Sequence, residues 1–148
     1  MTHTMRFRGA RALLAGLVLC GLAACADDIT VPSSELVRVQ LATGSPVPRA
    51  GGPIRVVLQN DSRQGIGYNL CTDTKVQRLD GTRWVDQPSD GRACSTSLAL
   101  LSAGQRIEVT YDLPRGLPAG RYRLAVTLYP DAGSIGVVYL SEPFDVVP

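Results

Sequence analysis

From Gly120 to Leu128 apolar and polar side chains alternate strictly: Tyr122, Leu124, Val126 and Leu128 fall on one side, Arg121, Arg123 and Thr127 on the other. A period of two marks a half-buried strand of an antiparallel sheet, and the preceding Leu117-Pro118-Ala119-Gly120 supplies the turn that starts it. The same pattern recurs along the chain. Val37, Val39 and Leu41 face inward in the run from Leu36 to Leu41, Ile54, Val56 and Leu58 in the next, and Ile107, Val109 and Tyr111 in a later one. Tyr68, Leu70 and Val76 share a parity that Leu79 breaks, which predicts a bulge or bend near Gln77. Asp80-Gly81 is a two-residue hairpin signal leading into Thr82-Arg83-Trp84-Val85. A run from Ala93 to Leu101 follows, and Ile135 to Leu140 forms the last strand, continued by Phe144 to Val147 beyond Pro143, whose missing amide donor marks a break or an edge. About seven short strands, with frequent turn signals and no helical period, predict an all-β antiparallel β-sandwich with Greek-key connections.

The order Gly120, Tyr122, Leu124 resembles the tyrosine corner of immunoglobulin-like sandwiches, in which a Tyr at the start of a late strand bonds back to the preceding connection. In antibody domains a Cys stands where Leu124 stands. Leu58-Gln59-Asn60-Asp61-Ser62, Tyr68-Asn69-Leu70, Leu79-Asp80-Gly81-Thr82-Arg83-Trp84-Val85, Leu101-Ser102-Ala103-Gly104-Gln105 and Leu117 to Leu124 together resemble a bacterial immunoglobulin-like domain family, over Leu36 to Val147. Members of that family are small envelope proteins, often bearing a lipobox. The resemblance implies an immunoglobulin-like fold and carries over no catalytic residue. A more distant similarity is to β-sandwich proteinase inhibitors that share the late Pro-x-Gly-x-Tyr turn.

The first residues change the picture of compartment. Arg6, Arg8 and Arg11 precede the apolar run Ala12 to Leu19, the layout of a secretory signal peptide, and the run is shorter than the roughly 20 apolar residues that span a bilayer. Leu22-Ala23-Ala24-Cys25 resembles a bacterial lipobox, which implies cleavage before Cys25 and lipid on that residue. The expected organisation is a signal peptide over residues 1–24, a lipidated Cys and tether over 25–35, and one domain over 36–148. Ala26 after the Cys resembles the outer-membrane sorting pattern, giving an expected place on the outer membrane facing the periplasm.

Removing 24 of the 148 residues leaves 124, one domain of ordinary size able to bury its own core. The net charge of +2 includes three arginines of the signal peptide, so the remainder stands at −1 and the basic balance that would support nucleic-acid binding disappears. His3, the only histidine, also lies in the removed segment, which excludes Ser-His-Asp and Cys-His sites and the commonest zinc ligand.

Cys71 and Cys94 form an even pair in an oxidising compartment and are expected to be disulfide-bonded. Asp61, Asp73, Asp80, Asp86 and Asp90 lack the spacing of a calcium loop, so turn chemistry accounts for them and no metal or other cofactor is expected. Trp84 is expected as a core anchor at a sheet edge, since one aromatic without aromatic neighbours makes a poor stacking surface. These readings converge on a non-enzymatic, lipid-anchored envelope protein that binds an envelope protein partner and touches the membrane through the lipid on Cys25. Two alternatives remain: a proteinase inhibitor presenting the loop Gln87 to Ala93 beside the bridge, and a glycan-binding module.

Overall fold

The structure is a computed structural model that describes residues 36–130 and 134–148. The expected signal peptide, Cys25 and the expected tether lie outside the described residues. Among the described residues ten strands follow in chain order: β1 (Val37–Leu41), β2 (Pro53–Asn60), β3 (Ile66–Tyr68), β4 (Thr74–Asp80), β5 (Arg83–Asp86), β6 (Ala99–Leu101), β7 (Arg106–Asp112), β8 (Gly120–Tyr129), β9 (Val137–Leu140) and β10 (Phe144–Val146). They form two sheets. Sheet one has the order β1-β2-β7; in sheet two β8 pairs β3 and β4 on one side and β9 and β10 on the other, while β6 and β5 extend the β3 and β4 edge. All pairs between named strands are antiparallel.

The seven expected strands correspond to seven lines of chain, three in sheet one and four in sheet two, because three of the lines are interrupted. β3 and β4 are one line: Tyr68 pairs with Leu128 and Thr74 with Val126, so residues 69–73 stand opposite Thr127 alone and loop out of the sheet. The break therefore falls at Asn69–Asp73, not near Gln77, and Leu79 departs from the inward parity because it faces outward, opposite Trp84. β9 and β10 are likewise one line with a one-residue shift: Leu140 pairs with Ala125 and Phe144 with Tyr122, leaving three residues opposite two. Pro143 falls inside this bulge, and Ser141 repairs it. Its N–H donates to the Leu124 carbonyl and its Oγ accepts from the Leu124 N–H, both at 2.9 Å.

β2 and β7 are neighbours in sheet one although four strands of sheet two separate them in sequence, the Greek-key return. Between the sheets the alternating residues meet: Ile54, Val56 and Leu58 from β2 lie against Tyr122, Leu124, Val126 and Leu128 from β8, all essentially inaccessible to water. Each such side chain contributes roughly 1.5–3 kcal/mol by leaving water.

Tyr122 Oη donates to the Pro118 carbonyl at 2.6 Å, tying the start of β8 to the connection before it. Gly120 leaves room for the Arg78 guanidinium, whose Nε would lie 3.0 Å from an added Cβ. Tyr122→Phe keeps the ring and strands the carbonyl, so the urea midpoint should fall by the equivalent of about 1 kcal/mol. An unchanged midpoint would show that the corner bond contributes nothing net.

Trp84 is not a core anchor. It lies half-buried on the edge strand β5, paired with the outward-facing Leu79, and the sheet itself separates it from the core cluster.

Candidate interaction face

The outer face of sheet two is built by alternation. Val76 opposes Leu124 on the core side, so Lys75, Gln77 and Leu79 of β4 face outward, beside Arg121 and Arg123 of β8 and Trp84 and Asp86 of β5. Cross-strand pairing puts Gln77 between Asp86 and Arg123, and a chain of polar contacts follows. Lys75 Nζ donates to Asp86 Oδ2 at 2.8 Å, Gln77 Nε2 to Asp86 Oδ1 at 2.7 Å, and Arg123 Nε to Gln77 Oε1 at 2.7 Å. The Arg123 guanidinium then lies 4.4 Å from the centre of the Trp84 ring. Three strands thus hold five side chains in one arrangement.

The energetic value of this network is organisation more than stability. An exposed ion pair contributes about 0–1 kcal/mol and an exposed cation–π contact about 0.5–1. Fixing long side chains in advance removes an ordering cost of about 0.5–1.5 kcal/mol each from any later association. The hydrogen bond from Lys75, then that from Gln77, holds the Asp86 carboxyl below its usual value, while the bond to Asp86 raises the Lys75 ammonium. The carboxylate arm is complete above the ordinary carboxylate range and is lost as pH falls through the lowered value for Asp86.

A second constellation lies where Tyr111 of β7 meets the loops of sheet two. Cys71, in the loop-out, is bonded to Cys94 with a Cα–Cα distance of 5.7 Å. Asn69 braces the same junction: its Nδ2 donates to the carbonyls of Ser95 and Ser97, and its Oδ1 accepts from the amides of Cys71 and Thr72. Ahead of the bridge, Arg92 grips Asp90 through two bonds of 2.9 Å and lies over Tyr111 at 5.7 Å. The bond from Arg92 holds Asp90 below its usual value, and burial pushes the Tyr111 hydroxyl up. The loop Gln87 to Ala93 is therefore laid down on the domain, with Asp90 and Arg92 half-buried. Between it and the sheet a pocket of about 270 Å³ is lined by Thr72, Thr74, Tyr111 and Pro114 among others.

The five aspartates singled out from the sequence do not converge. Asp61 pairs with Arg38, Asp73 lies near the Tyr129 hydroxyl, whose pKa is raised by burial and then by Asp73, Asp86 and Asp90 belong to the separate networks above, and Asp80 ends β4. Among the described residues no group of three His, Cys, Asp or Glu side chains is placed to hold a metal ion. Sequence reasoning missed the Lys75, Asp86, Gln77, Arg123 chain, because its members belong to three strands whose register only the fold sets. It also missed Asn60, which is fully buried and hydrogen-bonded on both ends of its amide.

No protein-family model matches the chain. It is similar to mouse C-C motif chemokine 24, 32% identical over 117 residues that take in 62% of this chain and 90% of the chemokine. Sixty-two per cent of 148 residues is about 92, so about a fifth of those aligned positions are gaps opposite this chain. Its cysteines stand at 20, 25, 71 and 94, so no two are adjacent and the motif that names the chemokine is absent. Among solved structures it is similar to a chain of the chaperone–tip adhesion subunit pre-assembly complex from archaic chaperone-usher Csu pili of Acinetobacter baumannii. That match has a TM-score of 0.41 and 20% identity, covering 68% of this chain and about half, 48%, of the other. A PapD-like domain of human CEP192 matches with a TM-score of 0.36 and 17% identity, over 93% of this chain and 98% of that one. By its own strand order, a three-line sheet β1-β2-β7 packed on a four-line sheet centred on β8, the chain is an immunoglobulin-like β-sandwich domain.

Proposed function

We propose that this is an exported, lipid-anchored bacterial envelope protein whose single immunoglobulin-like domain is a non-catalytic interaction module, meeting a partner protein on the outer face of sheet two around Trp84 and Arg123. The observation that carries the reading is the placement of the chain's one tryptophan outside the core, capped by an arginine that is itself fixed through Gln77 and Asp86. Tryptophan and arginine held in place on a sheet face have the composition and the low ordering cost of interface anchors. In the loop from Gln87 to Ala93, Arg92 lies over Tyr111 and bonds to Asp90, which ties its middle to the domain and counts against its entering a protease cleft.

The test is photo-cross-linking in cells from a photoreactive side chain at Leu79, beside Trp84, with Val47, in the β1–β2 connection of sheet one, as the comparison. One recurrent adduct from Leu79, absent from Val47 and lost in Trp84→Ala and Arg123→Ala, is the expected result. In the purified pair each variant should weaken affinity by about 30-fold or more, while the urea midpoint moves by about 1 kcal/mol or less. Equal affinity for the variants and the parent would remove this face from consideration. A second reading rests on the same indole flanked by the hydrogen-bonding Asp86 and Gln77: a sugar platform. Retention on a polysaccharide matrix that Trp84→Ala abolishes, with no protein adduct, would select it.

A further inference from the structure

The exposed large apolar side chains are unevenly distributed. Val47 and Val85 lie toward the end of the sandwich where Arg49 bridges Val147 and the β4–β5 hairpin turns. The other six, Leu36, Leu98, Leu100, Ile135, Val138 and Leu140, lie in the opposite half. The register defines that half: Val37 opposes Asn60, Asn60 bonds to the Leu101 carbonyl, Leu101 opposes Ile66, and Val137 opposes Leu128. Leu100 is 68% exposed and Ile135 92%. Leu100 lies over Gly65 and Leu98 over Gly67, where an added Cβ would come within 2.9 and 3.2 Å of their methyl groups. The leucines are therefore spread on the sheet and not folded into it. Scattered single apolar residues need no explanation, but a cluster at one end does.

This is also the end at which the chain enters, since Leu36 leads directly into β1. We propose that this end rests on the lipid surface of the membrane that holds the anchor, with Leu100 and Ile135 reaching into the boundary between headgroups and acyl chains. The proposal rests on the reading of Cys25 as lipidated. From Cys25 to Leu36 the chain can span at most about 40 Å, so its entry end is the part of the domain kept nearest the bilayer. Exposed apolar side chains there find a lipid surface at high local concentration. Arg63, in the β2–β3 connection, and Arg106, at the start of β7, are exposed at the same end and make no ion pair among the described residues. Anionic headgroups supply their counter-charge. Trp84 lies on the same outer face as Leu100 and Val138 but near its opposite end, so it stands clear of the bilayer where a partner can reach it.

Full-length lipidated protein is reconstituted into phosphatidylethanolamine and phosphatidylglycerol vesicles whose acyl chains carry bromine. Tryptophan is added singly as Leu100→Trp, Ile135→Trp or Val47→Trp, the native Trp84 serving in each as a constant background from the other end. The emission of the added tryptophan should fall at least two-fold at positions 100 and 135 and stay unchanged at 47. Vesicle flotation of the same samples separates the two premises. Protein that floats with the vesicles but shows no quenching at 100 or 135, or quenching equal to that at 47, keeps the anchor and overturns the membrane contact. Protein that does not float overturns the anchor and the contact with it.

Discussion

Replacing Cys71 and Cys94 together by serine is expected to lower the free energy of unfolding by about 3 kcal/mol and the melting temperature by about 15 °C. The bridge joins residues 23 apart, and closing a loop of that size removes about 3.4 kcal/mol of entropy from the unfolded chain in the loop-closure description. The folded state loses local order as well. Cys71 sits in the five-residue loop-out of the β3–β4 line and Cys94 in a stretch without strand pairing. Without the covalent link the junction depends on Asn69 and on the Arg92 contacts with Asp90 and Tyr111. Those are exposed hydrogen bonds, one half-buried ion pair and one cation–π contact, each contributing about 1 kcal/mol. Urea unfolding with and without reductant measures the total. Hydrogen exchange should show faster opening at residues 70–73 and 88–95 than in β8, whose inward residues are fully buried. A change below about 1 kcal/mol would mean that the unfolded chain already holds these segments together.

The parts of this architecture legible in the sequence are those where one face of a strand is in the core and the other in water. β8 and β2 satisfy that condition, and their inward residues follow from alternation alone. Pro143 announced the interruption between β9 and β10 because a residue without an amide donor cannot continue the ladder. Trp84 did not reveal its direction, since on a four-residue edge strand with Arg83, Val85 and Asp86 all exposed, neither face carries an apolar pattern. The loop-out at 69–73 was hidden for a different reason. Tyr68, Leu70 and Val76 keep one parity across it, so the looped segment leaves the alternation intact on both sides while breaking the pairing. The outer-face network and the apolar end both depend on strand neighbours far apart in sequence, information that period and composition do not contain.

Asn60 is the case in which the pattern did hold the signal, and the cost of removing it is expected to be large. Ile54, Val56, Leu58 and Asn60 are successive inward positions of β2, so the alternation aims an amide into the core, where the polar run that follows suggests only a strand end. The amide is used completely. Nδ2 donates to the carbonyls of Gln64, Leu101 and Ser102, and Oδ1 accepts from the Ser62 amide and hydroxyl, so one side chain ties β2 to the connections before β3 and after β6. Asn60→Ala leaves three carbonyls without this donor and a gap in the core, for an expected loss of about 3–4 kcal/mol in urea unfolding. Asn60→Asp keeps the shape and is the sharper probe. At neutral pH it sets a buried negative charge against the carbonyl oxygens and should destabilise at least as much. Burial and those oxygens raise the pKa of the new carboxyl in the folded state, so that state binds the proton more tightly than the unfolded chain does. Part of the lost stability should therefore return as pH falls from 7 toward about 5, because the protonated acid can donate to one carbonyl. The parent, whose Asp61, Asp86 and Asp90 carboxyls are held below their usual value, should gain nothing over the same interval. Parallel pH dependence in the parent and in Asn60→Asp would show that water reaches the site and that the amide is not the sealed junction described here.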